Sequence, residues 1–121
     1  MGNLKFDFEH INKHGEFIYL YNKSHKYVCN FFVIFLKKDK DLKKRVAVVA
    51  SKKIGNAIDR NKAKRRMREI LRLSKEFILP GTSIILVARK PIINSNFQML
   101  LDTFHKLLYK FYTYEDSKQN S

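Results

Sequence analysis

Between Ser51 and Arg72 the chain reads SKKIGNAIDRNKAKRRMREILR, nine lysines and arginines against two carboxylates, Asp59 and Glu69. The chemistry open to such a set is the holding of phosphate. Guanidinium forks and ammonium point charges bind phosphate oxygens well. Breaking a phosphodiester would need a base, a nucleophile or a metal site, and no close Asp/Glu constellation accompanies the cations, so no catalytic residue is expected in the protein. Turned at about 100° per residue from Arg60, Ala63, Met67, Ile70, Leu71, Phe77 and Ile78 fall on one arc, and Asn61, Lys64, Arg65, Arg68 and Arg72 on the adjacent one. A helix with this pattern docks its apolar stripe on a core while its cations face outward. Glu69, on a third side, is expected to pair with Arg65 or Arg66 at helical spacing.

Other residues offer less. His10 and His14 have the i, i+4 spacing of some zinc sites, but no glutamate follows the first histidine and no third ligand is evident, so no metal site is expected. His25 and His105 stand alone. Cys29, the single cysteine, excludes an intramolecular disulfide, fits a reducing compartment and reads as a small buried apolar residue. The first residues contain no apolar run resembling a signal peptide, and nothing downstream approaches the roughly 20 residues of a membrane span. A cytoplasmic protein without a membrane partner is expected.

The chain has 121 residues, a formal charge of +14 and a pI near 10.0. That much self-repulsion is tolerated most readily when a polyanion neutralises it. With 45% hydrophobic residues and ten phenylalanines, the chain is no disordered basic tail, and its length suits one domain around one core.

The elements that must position the cations follow from local patterning. Residues up to about Lys13 show no period and read as an irregular arm, with 1–10 as a frayed extension. Phe17, Leu20 and Tyr21 recur at helical spacing and predict a short helix over about Glu16–Asn22. YVCNFFVIFL within Lys26–Lys37 is strand-like, with Cys29 and Asn30 placed to split it. Lys37–Lys44 is a charged turn, RVAVVA over Arg45–Ala50 a strand, and the two strands are expected to pair as a hairpin. Gly55 and Asn56 can take positive φ to turn the backbone into the basic helix near Ile58–Asn61. After Pro80 and Gly81, TSIILVAR is a continuous apolar strand stopped by Pro91. Asn94 or Ser95 is placed to cap a last helix with Phe97, Leu100, Leu101, Phe104, Leu107, Leu108 and Phe111 on its apolar face. The polar stretch 115–121 is expected to be disordered. No repeat or low-complexity linker interrupts the chain, so an α+β fold is expected, a single-domain layer of about three helices on a small mixed β-sheet.

The run SKKIGNAIDRNKAKRRMRE closely resembles the signature of the bacterial ribonuclease P protein component, S-K-K-x-G-x-A-V-x-R-N-x-x-K-R-x-x-R-E. INKHGEF from Ile11 to Phe17, NFFVIF and IILVARKP are similar to further family segments, so the resemblance covers about Ile11–Tyr112. Three positions depart from the pattern. Lys62 stands where a second arginine is usual and loses the planar fork, Ile58 replaces a valine, and Ala47 occupies a position commonly glycine.

The resemblance implies the protein subunit of a ribonucleoprotein endonuclease that removes the 5′ leader of precursor tRNA, with a left-handed βαβ crossover in its fold. Catalysis would reside in the RNA subunit, which would hold Mg²⁺ for metal-assisted hydrolysis. The partners implied are ribonuclease P RNA and precursor tRNA, with no obligate protein partner. Carried onto this sequence, Lys52, Lys53, Arg60, Asn61, Lys62, Lys64, Arg65 and Arg68 would contact the backbone of the RNA subunit. Phe17, Tyr21 and Phe35 would form a leader cleft between the first helix and the sheet, stacking unpaired bases with little sequence preference. Read from the residues alone, these three aromatics are core, and both readings stay open. Three other functions remain open as well: a general RNA-binding or ribosome-associated accessory protein without a leader cleft, a peripheral membrane protein anchored by its basic amphipathic helix, and an independent nuclease.

Overall fold

A computed structural model describes residues 8–119 of the chain. In chain order these form β1 (Glu9–His10), α1 (His14–Lys23), β2 (His25–Val28), β3 (Phe32–Lys38), β4 (Arg45–Val49), α2 (Ala57–Leu73), β5 (Thr82–Ala88) and α3 (Phe97–Gln119), with single 3₁₀ turns at Lys52–Ile54 and Lys90–Ile93. One mixed sheet runs in the order β1-β4-β5-β3-β2. β1 and β5 lie parallel to β4, while β3 is antiparallel to both β5 and β2. The three helices on a mixed sheet make this an α+β domain.

The middle of the sheet belongs to β5, whose residues are buried at every position but Val87. A strand that is apolar on both faces is most stable with both edges paired and both faces covered. For that reason the hairpin expected between β3 and β4 does not form, because β5 lies between them. Their connection instead wraps the start of β5, where Asp39 N–H donates to the Gly81 carbonyl at 2.8 Å and Gly81 N–H to the Lys43 carbonyl at 2.9 Å. Gly81 has φ 90°, and a Cβ there would strike the carbonyl oxygens of Asp39 and Asp41, so glycine alone fits this crossing.

Alternation along the strands divides the apolar residues between two faces. On one, Phe32, Ile34 and Leu36 of β3 with Ile84 and Leu86 of β5 meet Ala63, Met67, Ile70 and Leu71 of α2 and Leu100, Phe104, Leu108 and Phe111 of α3, all buried. On the other, a smaller cluster of Ile11, Leu20, Ala47 and Ile85 seats α1, with Phe17, Phe35, Val49 and Val87 half-buried around it. The split at Cys29 and Asn30 is present, between β2 and β3.

Three local expectations are corrected. The N-terminal arm is ordered over its described part, since Phe8 and Ile11 are buried and Glu9 and His10 pair in register with Arg45 and Val46. The two buried residues that immediately flank it, Phe8 and Ile11, hold a strand too short to show a period; the rest of the extension lies outside the described residues. At the other end, α3 runs through residues 115–119 because Tyr114 stacks on His25 with centroids 4.7 Å apart, extending the helix past its polar turn; residues 120–121 lie outside the described residues. The α3 start is capped by Asn96, whose Oδ1 accepts from Met99 N–H at 3.3 Å, while the Ser95 hydroxyl donates to the Pro91 carbonyl at 2.6 Å.

Candidate nucleic-acid interface

The basic helix is launched by three caps in succession. Ser51 Oγ accepts from Lys53 N–H at 3.3 Å and opens a 3₁₀ turn whose Ile54 is buried. Gly55 follows with φ 144°, where a Cβ would collide with the Asp59 side chain. Asn56 keeps negative φ and acts as the N-cap, its Oδ1 accepting from Asp59 N–H at 2.9 Å. The side-chain oxygen satisfies an amide that the first turn leaves unpaired. Lys52 and Lys53 thereby stand exposed immediately before α2.

Along α2 the two arcs separate as the sequence predicts over Ala57–Leu73. Ala63, Met67, Ile70 and Leu71 are fully buried; Asn61, Arg65 and Arg68 are exposed, and Arg60, Lys62 and Lys64 are half-buried. Among the described residues none of Lys52, Lys53, Arg60, Lys62, Lys64, Arg65 and Arg68 has a carboxylate partner. Their field is therefore uncancelled locally, the arrangement that favours polyanion.

Three neighbours behave differently from expectation. Glu69 pairs with Arg72 rather than Arg65 or Arg66, Arg72 Nε donating to Glu69 Oε2 at 2.9 Å. This hydrogen bond, ahead of the opposing desolvation, holds the Glu69 carboxyl below its ordinary value and takes Arg72 out of the free stripe. Arg66 turns to the segment before α3, donating to the carbonyls of Ile93 and Ser95 with its guanidinium 5.8 Å from the Phe97 ring centroid. It is a clamp and so unavailable to Glu69. Phe77 lies past the end of α2 and is 62% exposed, because the helical period stops at Leu73, where Ser74 caps the helix and its buried hydroxyl meets His105 Nε2 at 2.8 Å. Ile78 does reach the core.

Phe17, Tyr21 and Phe35 come together on the opposite face of the sheet. The Phe17 and Tyr21 centroids are 6.1 Å apart, and Tyr21 meets Phe35 edge-on at 4.8 Å. None is fully buried, and Tyr21 is 39% exposed. Desolvation of its covered part raises the phenol pKa above the ordinary value. The strand register sets Lys26 opposite Phe35, its Nζ 5.8 Å from the ring centroid. Lys26 was not legible as a site residue, because only the β2–β3 register reveals it.

The basic helix and the aromatic face meet at the free edge of β4. β1 pairs with only Arg45 and Val46, and beyond it a cleft of about 120 Å³ is lined by Arg68 of α2, Phe17 of α1, His10 and Ala47. His10 lies in β1 and His14 opens α1, so their sequence spacing is not a helical one. Among the described residues no group of three or more His, Cys, Asp or Glu is placed to hold a metal ion, and no helix is long and apolar enough to cross a membrane.

A sequence profile for the family described as Ribonuclease P matches residues 7–112. The chain belongs to the ribonuclease P family. Among relatives, the ribonuclease P protein component of Fusobacterium nucleatum is 42% identical over 80 residues, covering 66% of this chain and 72% of that one. That of Clostridium botulinum is 31% identical over 115 residues, 89% of this chain and 92% of the relative. Solved ribonuclease P proteins superpose along most of the chain. The Staphylococcus aureus protein gives a TM-score of 0.72 at 32% identity, covering 83% of this chain and 92% of the other. The Thermotoga maritima protein gives 0.74 at 26% identity, covering 84% and 96%. The family's RNA-binding, tRNA-processing role agrees with a surface of unpaired cations on a scaffold that keeps its apolar stripe for the core.

Proposed function

We propose that this chain is the protein subunit of ribonuclease P, fastening to the catalytic RNA through α2 and gripping the 5′ leader of precursor tRNA on the aromatic face. The observation that carries this reading is the meeting of the two surfaces at β4, where Arg68 and Phe17 line one cleft. A strand stacked on Phe17, Tyr21 and Phe35 passes directly to phosphate-binding cations. Lys52, Lys53, Arg60, Lys62, Lys64, Arg65 and Arg68 neutralise backbone phosphates, and Asn61 bonds a 2′-hydroxyl or a base edge. The rings accept any base, which suits leaders of differing sequence. Mg²⁺ held by the RNA subunit would activate the attacking water. The protein's share is to bind, orient and neutralise, which lowers the metal concentration the complex needs. A cytoplasmic location, the company of ribonuclease P RNA and precursor tRNA, and no obligate protein partner complete the reading.

The membrane-anchor alternative loses its main support, since the apolar stripe of α2 is buried in the core. A general RNA-binding protein lacks the leader preference. Adding this chain to a bacterial ribonuclease P RNA at low Mg²⁺ should restore precursor cleavage, and the stimulation should grow with leader length. Equal binding of precursor and mature tRNA would favour the general RNA binder, and cleavage by the protein alone would make it an independent nuclease.

A further inference from the structure

At the opposite edge of the sheet from β1 and β4, β2 begins at His25, paired with Leu36, so Lys37 and Lys38 of β3 run on without a β2 partner. The end of α1 and the last turns of α3 close around this gap, leaving an open cleft of about 480 Å³, within the size range of ligand sites. Four lysines line it, Lys23, Lys37, Lys38 and Lys118, against one carboxylate, Glu115. Lys37 is engaged by Asp39 at 2.6 Å, whereas Lys23 and Lys38 have no ion pair among the described residues. Two half-exposed rings flank the charges, Tyr19 at 49% exposure with Lys37 Nζ 5.7 Å from its ring centroid, and Tyr114 at 45%. The His25 ring stands between Tyr27 and Tyr114 with centroids 4.6 and 4.7 Å away, which fixes the Tyr114 wall. Ser24 also lines the cleft, and its hydroxyl, shielded from solvent, has no hydrogen-bond partner among the described residues. Orphaned hydroxyls of this kind are uncommon in folded proteins.

Cations and half-exposed aromatic rings in one cleft are the parts of a single-stranded nucleic-acid site, and the orphaned Ser24 hydroxyl adds an unmet donor beside them. We propose that this cleft is a second RNA site, taking one phosphodiester on Lys23 and Lys38 and one unpaired base against Tyr19 and Tyr114. It rests on the RNA-binding reading of the chain but not on the α2 surface, and it lies outside the family match in part, since Tyr114, Glu115 and Lys118 follow residue 112. The last turns of α3 thus supply one wall of a site at the far edge of the sheet.

The test uses the full chain and a short fluorescent oligouridylate, with anisotropy read across a salt series for the wild type, Lys23→Ala, Tyr114→Ala and Arg65→Ala. Tyr114→Ala is expected to weaken binding about tenfold through the lost stack, and Lys23→Ala to flatten the log-log salt slope by about 0.7. Lys23 is exposed on the last turn of α1, so that variant stays informative even where loss of the Tyr114–His25 stack loosens α3. Wild-type binding by either cleft variant, alongside weaker binding by Arg65→Ala, overturns the proposal and leaves the ribonuclease P reading intact. No change in any of the three variants overturns both. In the assembled holoenzyme, an effect confined to leader-bearing precursor assigns the strand to the leader, and an effect on assembly assigns it to the RNA subunit.

Discussion

The two faces of the sheet are built from alternate residues of the same strands and serve opposite ends. In β3, Phe32, Ile34 and Leu36 are fully buried beneath α2 and α3, whereas Val33, Phe35 and Lys37 on the other face stay half-open beside α1. Two long helices cover one face completely; a single helix of ten residues covers the other in part. The thick face holds the fold together, and the thin face leaves aromatic rings accessible for stacking. Because buried and half-open residues fall on alternating positions, a ring proposed to bind RNA is expected to be replaceable at little cost to stability.

The largest effect should come from the thick face. Phe104 is fully buried at the centre of the α3 stripe, so Phe104→Ala should lose about 3–5 kcal/mol, read as a lower urea midpoint at unchanged slope. A loss below about 1 kcal/mol would erase the distinction between the faces. On the thin face, Tyr21→Ala should weaken precursor tRNA binding by about 1–3 kcal/mol while mature tRNA and the RNA subunit bind as before. Equal weakening of both tRNA forms would make Tyr21 a general contact, and unfolding would make it core.

On α2 the same contrast appears between stripes of one helix. Arg65→Ala should flatten the salt dependence of RNA binding by about one phosphate contact and change stability by no more than about 0.5 kcal/mol. An unchanged slope would reduce Arg65 to a solvated charge. The smallest effect belongs to Glu69. Its folded pKa lies below the ordinary value through the Arg72 hydrogen bond, so its contribution is present above the ordinary carboxylate pKa and is lost as pH falls through the folded one. The pair is more than a third exposed on the Glu69 side, which limits the contribution to under about 1 kcal/mol. Glu69→Gln should remove that part of the acid dependence in melts between neutral and acid pH; an identical profile would show the pair to be neutral.

Elements whose signals are local were legible in the chain alone. The stripes of α2, the break at Cys29 and Asn30, the buried run of β5 and the apolar face of α3 each follow from periodicity and turn signals within a few residues, whereas Asn56, expected at positive φ, keeps negative φ and caps α2. The basic stripe was legible for the same reason, since helical spacing alone separates the exposed Arg65 and Arg68 from the buried Met67 and Ile70. Tertiary structure decided whatever depends on partners far along the chain. It put β5 between β3 and β4, ordered the short β1 through the burial of Phe8 and Ile11, drew Arg66 away to Ile93 and Ser95, and set Lys26 beside Phe35. It also brought Arg68 and Phe17 to one cleft across the edge of β4. Strand order and register are set by which surfaces are best buried together, a comparison over the whole chain that no local window contains.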